Sequence, residues 1–101
     1  MAESTQYDVL NTEVSGIRRI TGTSIFSLGS LVSGAGYVWV TCATNEIRFT
    51  IDGTSPSATG TTTAIIRTTN GINRLYVKDL SNVKISGLVA GSIGNIYWEK
   101  I

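Results

Sequence analysis

The side chains that run most enzyme chemistry are scarce in this sequence. Histidine, the usual acid–base group near neutral pH and the commonest metal ligand, is absent from all 101 residues. That removes Ser-His-Asp triads and Cys-His dyads. Cys42 is the single cysteine, so an intrachain disulfide is impossible, and one thiolate with scattered carboxylates is no credible zinc set. It lies in the apolar run Tyr37 to Ala43, where a thiol behaves as a small hydrophobe. Glu46 and Asp52 fall on one face of a strand but six residues apart, roughly 20 Å at the strand rise. Glycosidase carboxylates stand about 5–9.5 Å apart. Asp52 lacks the alternating Asp and Asn residues of oxygen-rich calcium loops, and Gly34-Ala35-Gly36 lacks the helix that must follow a phosphate loop. The residues point to a protein that is not an enzyme and that uses no cofactor or metal.

Binding is the chemistry that remains. Tyr37, Trp39, Tyr97 and Trp98 form a candidate exposed aromatic interface, with Tyr76 as a further member of the aromatic stock. Exposed aromatics anchor protein interfaces or stack on sugar rings; the structural reading is that they fill the second face of a sandwich. A surface rich in Thr and poor in charge suits a permanent protein interface, whose centre is depleted of charged residues. Nucleic acid is an unsuitable partner: the net charge is only +1, and Arg18-Arg19 is the one adjacent basic pair. No apolar run approaches the ~20 residues that span a bilayer, so no membrane partner is expected. Met1 to Gln6 carries no basic stretch leading into an apolar one, so synthesis in a cytoplasm without an ordinary export signal is expected.

The elements that would position these groups are strands. Ile, Val and Thr dominate, charged residues make up only 15%, and 11 glycines supply turns. Tyr37 to Ala43 alternates Val38, Val40 and Cys42 against Tyr37, Trp39 and Thr41. Glu46 to Asp52 alternates Ile47, Phe49 and Ile51 inward against Glu46, Arg48, Thr50 and Asp52 outward. Further strands are expected at 17–21, 24–28, 64–68, 74–78, 82–86 and 95–101, with Asn70-Gly71 as a hairpin-type turn. The expected fold is all-β, a single-domain β-sandwich of jelly-roll or immunoglobulin-like type over residues 16–101. Residues 1–15 form a polar N-terminal arm or edge strand.

The segment Asn45-Glu46-Ile47-Arg48-Phe49-Thr50-Ile51-Asp52-Gly53-Thr54-Ser55-Pro56-Ser57 resembles a motif of small tailed-bacteriophage virion proteins. In those proteins an apolar strand precedes the motif, and a Gly and Thr/Ser loop follows it. An Asn-Val-Lys strand and a terminal aromatic strand complete the set, here Asn82-Val83-Lys84 and Ile96-Tyr97-Trp98. The Asp-Gly-Thr-x-Pro part also occurs in extracellular β-sandwich modules. Independently of any family, Arg48, Asp52, Gly53 and Pro56 read as a rigid corner between two sheets: an alternating strand carrying Arg48 outward, stopped by Asp-Gly and stiffened by proline.

The resemblance implies a capsid decoration or cement protein, located on the virion surface. Its partner would be the major capsid protein, and it would act as a homotrimer or homodimer that stabilises contacts between capsomers. Tyr7, Val9 and Leu10 of the arm are the candidate capsid-contact anchors, by strand addition to a neighbour. The alternatives are a carbohydrate- or receptor-binding module using Trp39, Trp98 and Tyr97, and a tail or head–tail connector subunit.

Overall fold

Strand alternation sorts the side chains into an inner and an outer set. The computed structural model describes residues 15–57 and 60–101. Eight strands follow in order: β1 Ser15–Thr21, β2 Phe26–Ser27, β3 Gly36–Thr44, β4 Glu46–Thr50, β5 Ala64–Arg67, β6 Ile72–Val77, β7 Lys84–Gly87 and β8 Ile93–Lys100. Single 3-10 turns occupy Leu28–Ser30 and Leu80–Asn82, and the described residues include no α-helix. Ser24 to Leu28 forms a shorter strand than its sequence suggests, because Leu28 is drawn into the 3-10 turn and fully buried.

The strands pair first with last: β1 with β8, β2 with β7, β3 with β6 and β4 with β5, all antiparallel. Pairings of β3 with β8 and of β4 with β7 complete two four-stranded sheets, β1-β8-β3-β6 and β2-β7-β4-β5. A long antiparallel ribbon rolled into two layers has this order, which is the jelly roll. The immunoglobulin-like arrangement, with a four-strand ABED sheet against a CFG sheet, has a different order and is excluded. Among the connections only β4–β5 stays within one sheet; the others cross between layers.

One of those crossings corrects an expectation, and the early end of β4 corrects another. Asn70-Gly71 joins β5 to β6, which lie in opposite sheets, so it makes no hairpin. Neither residue has positive φ, which the two-residue hairpin turn of this sequence type needs. Instead the Asn70 side-chain oxygen accepts from the Arg67 N–H (2.8 Å), and the Asn70 N–H donates back to the Arg67 carbonyl (3.1 Å). Ile51 is likewise not inward. β4 ends at Thr50, which is itself buried and donates its hydroxyl to the Thr54 carbonyl. Ile51, 39% exposed, lines a shallow apolar cleft with Ala64, Ile72 and Leu75 at the β5/β6 edge.

The core is the interior between the layers. Val38, Val40, Cys42, Ile96 and Trp98 from one sheet meet Ile47, Phe49, Ile66 and Ile85 from the other. Leu28 and Leu80 of the 3-10 turns close one end and Ile20 joins from β1. Gly94 of β8 is a point of close approach. A Cβ there would stand 2.6 Å from both the Ile47 side chain and the Thr41 carbonyl oxygen. β3 passes into β4 through Asn45, whose φ of 63° lies in the left-handed region, which Asn tolerates better than most residues. The Cys42 thiol donates to the Asn45 carbonyl at 3.1 Å.

Asp79 caps the second 3-10 turn. One carboxylate oxygen accepts from the Ser81 hydroxyl (2.8 Å), the Ser81 N–H (3.0 Å) and the Gly34 N–H (3.0 Å). These bonds, the Ser81 hydroxyl first, hold its pKa below the ordinary carboxylate value. A lowered folded pKa gives stability that is complete above the unfolded value and lost as pH falls through the folded one. Urea midpoints measured at pH 7 and pH 3 should therefore fall more for the wild type than for Asp79→Asn. Equal losses would show that the cap does not carry this acid sensitivity. Gly94→Ala should cost about 1–3 kcal/mol in urea unfolding, since the added methyl must displace backbone or Ile47.

Candidate functional site

The two outer faces of the sandwich differ in kind. On the sheet β2-β7-β4-β5 Glu46 is paired with arginines, while Lys84 joins no ion pair among the described residues. Glu46 accepts from Arg48 Nε at 3.2 Å and lies 3.8 Å from Arg67 Nε. Arg48, read from sequence as an outward corner residue, is thus tied down beside Glu46 with 18% of its side chain exposed.

On the sheet β1-β8-β3-β6 the outer face is aromatic. The register places Ile17, Tyr97 and Trp39 side by side across β1, β8 and β3. One step along, Glu99, Tyr37 and Tyr76 are neighbours across β8, β3 and β6. Trp39 meets Tyr97 edge to face with centroids 5.0 Å apart, and Tyr37 meets Tyr76 the same way at 5.8 Å. Such pairs contribute about 0.5–1.5 kcal/mol beyond their buried area. Ile17 remains 64% exposed and Tyr76 50%, so the packing within the face does not hide it.

Arg74 is held over this face by a distortion of β6. Asn73 and Arg74 together stand where β3 has only Trp39, giving a register shift between Val38 and Val40. Arg74 has φ of 58°, a left-handed backbone in a side-chain-bearing residue. The distortion sets its guanidinium 4.0 Å from the centre of the Tyr37 ring. Neither Arg74 nor Glu99 belongs to an ion pair among the described residues.

Of the sequence-derived candidates, Tyr37, Trp39 and Tyr97 share this face. Trp98 does not: it is 3% exposed. The correction is physical, since adjacent strand residues point to opposite faces, and β8 turns Tyr97 out and Trp98 in. Trp98 lies against Gly16, where a Cβ would come within 2.7 Å of its ring. Its Nε1–H is buried with no hydrogen-bond partner among the described residues. A sugar platform of Trp39, Trp98 and Tyr97 on one face is therefore geometrically impossible. Tyr7, Val9 and Leu10 lie outside the described residues.

The turn forms, but it joins β4 to β5 within one sheet, so it is not the corner between two sheets that the sequence suggests. Asp52 accepts from the Thr54 hydroxyl (2.6 Å) and N–H (3.1 Å), and its pKa is lowered by those bonds, the hydroxyl first. Gly53 takes φ of 88° and donates its N–H to the Asn82 carbonyl at 3.0 Å. Pro56 follows, half-buried. The turn fastens the β4–β5 loop to the turn before β7, a structural task.

Ile17, Arg74 and Glu99 were missed by the sequence reading, and Tyr76 was named in the aromatic stock without being placed on this face. Tyr76 had a signal, as it alternates with the inward Leu75 and Val77. Arg74 had none, because a register shift depends on the partner strand. Among the described residues no group of three or more His, Cys, Asp or Glu could hold a metal ion, and no helix is long and apolar enough to cross a membrane. Comparison with protein-family models, with curated proteins and with solved structures gave no match.

Left-handed strain at position 74 makes an unusual ordering testable by urea unfolding. Arg74→Gly should be more stable than Arg74→Ala by about 0.5–1 kcal/mol, the strain relieved less the entropy glycine adds. The reverse order would show that the distortion costs nothing.

Proposed function

We propose that the protein is a structural subunit of a virion, seated on the capsid surface, where it stabilises contacts between capsomers. The observation that carries this reading is the outer face of β1-β8-β3-β6, which displays Ile17, Tyr37, Trp39, Tyr76 and Tyr97 on a rigid sheet. Aromatic residues with few charges are the composition of an interface centre. A jelly-roll body is an architecture used by viral capsid domains, and by lectins; the fold alone therefore does not choose between them. Two features favour the protein interface over the sugar. The aromatic rings pack edge to face instead of lying flat as a shared platform, and one of the three rings proposed for the sugar is in the core. The scarcity of acid–base and ligating groups leaves adhesion as the chemistry that the face supplies. Subunits on a shell gain from seating at several contacts at once, so modest individual contacts suffice.

The test is co-sedimentation of the purified chain with capsids assembled from the major capsid protein of the same genome. Wild-type protein should saturate the shells at a defined copy number. A Trp39→Ser, Tyr97→Ser variant should bind at least roughly tenfold more weakly, as loss of a buried aromatic anchor does. Arg67→Ala on the opposite face should bind as wild type. Absence of shell binding, together with a saturable Trp fluorescence change on adding glycans, would replace this reading with the lectin one.

A further inference from the structure

The aromatic face carries a charge arrangement that identifies what covers it. Glu99 lies on one side of β3 and Arg74 on the other, in the row that runs through Tyr37 and Tyr76. The anion and the cation flank the same ring, yet they are not paired with each other or with any other described residue. Both are on a face whose apolar members, Ile17 at 64% and Tyr76 at 50%, stay exposed.

We propose that a second copy of this chain covers this face, in a two-fold dimer whose axis runs along β3. Half a turn about that line exchanges the β8 side with the β6 side. Glu99 of one copy then faces Arg74 and the Tyr76 hydroxyl of the other, and the same pair forms again by symmetry. Such reciprocity is what an isologous interface requires of a single surface. Each carboxylate gains a guanidinium and a phenol donor, Trp39 on the axis strand lies over Trp39 of the other copy, and Tyr97, on β8 like Glu99, faces the distorted part of the other copy's β6. A further cation on the face, Arg19, opposite Asn95 on β8, sits on the outermost strand. The two-fold carries its counterpart beyond β6, about four strand spacings or roughly 19 Å away, so the two like charges stay apart.

The opposite face lacks this property. There Glu46 is already shared between Arg48 and Arg67, and Lys84 adds another cation beside Thr50. Two such faces brought together would repel. The face-to-face contact also selects a dimer over a trimer, because one flat sheet packed on its own copy closes after two.

This inference rests on reading the aromatic face as a protein interface. In solution a second copy takes the face that the shell takes on the particle, so dimer and shell compete for it. The following measurements separate the failure of the dimer from that of the virion reading. Sedimentation equilibrium of the full chain should give twice its 10.8 kDa mass. Glu99→Arg and Arg74→Glu should each weaken the dimer by roughly tenfold or more, since each sets like charges against one another. Combining them reverses the pair and should return the dissociation constant to within about threefold of wild type, the signature of a direct partnership. Raised salt should weaken the wild-type dimer and leave Arg74→Glu less affected. Matched melting curves in dilute solution would show that the variants fold. Trp39→Ser offers a second route to the monomer without changing charge. A wild type that is monomeric at its highest soluble concentration overturns the proposal. So does a double reversal no better than its parents. A monomer that still saturates shells would sink the dimer alone, whereas a dimer indifferent to shells would sink the virion reading alone.

Discussion

Two four-stranded sheets, with no helix among the described residues to cover them, can hide one face of each sheet and no more. Every other feature follows from that limit. Alternation makes the choice of an inner residue a choice of its outer neighbours, so burying Val38, Val40 and Cys42 commits Tyr37, Trp39 and Thr41 to the outside. The same holds in β8, where Ile96 and Trp98 go in and Tyr97 and Glu99 go out. A small jelly roll therefore has two outer surfaces that its core does not consume, and the chemistry written on them is free to serve something other than folding.

Much of the fold was legible in the sequence because alternation is a local signal. β3 and the start of β4 could be read with their faces, and the β-branched, glycine-punctuated composition gave the class. What could not be read was pairing, which depends on residues far apart in the chain. The jelly-roll order rests on partnerships such as Gly16 with Trp98 across β1 and β8, and no local pattern announces them. That same partnership settles which of two adjacent aromatics is buried: Gly16 has no side chain, and the Trp98 ring occupies the space. Asn70-Gly71 misled for the opposite reason. Its local chemistry suits a hairpin, but the ribbon must change layers there, and the turn that forms is tied by the Asn70 side chain instead.

Layer changes are also where the backbone is under most constraint. Asn45 adopts positive φ between β3 and β4, and Gly22 does so between β1 and β2. Both positions are served by residue types that tolerate it. Arg74 is different, because it is neither Gly nor Asn and does not lie at a layer change. Its strain is retained within an edge strand whose bonding it disrupts. Backbone strain away from any folding requirement is a pointer to function, and here it delivers a cation onto Tyr37 in the middle of the aromatic face.

Comparing the two outer faces turns that pointer into an argument about direction. A folded domain that had only to be soluble would gain from pairing its surface charges locally, as Glu46 does with Arg48 and Arg67 on one side. On the other side, Arg74 and Glu99 are held apart by an aromatic ring, and large apolar side chains stay in contact with water. Exposed apolar area costs about 25 cal/mol for each Å² that a partner would cover, and unpaired charges forgo the attraction a partner would supply. One face pairs its glutamate within the chain. The other leaves Arg74 and Glu99 without an ion pair and Ile17 and Tyr76 exposed, and it is on that difference that the proposed dimer rests.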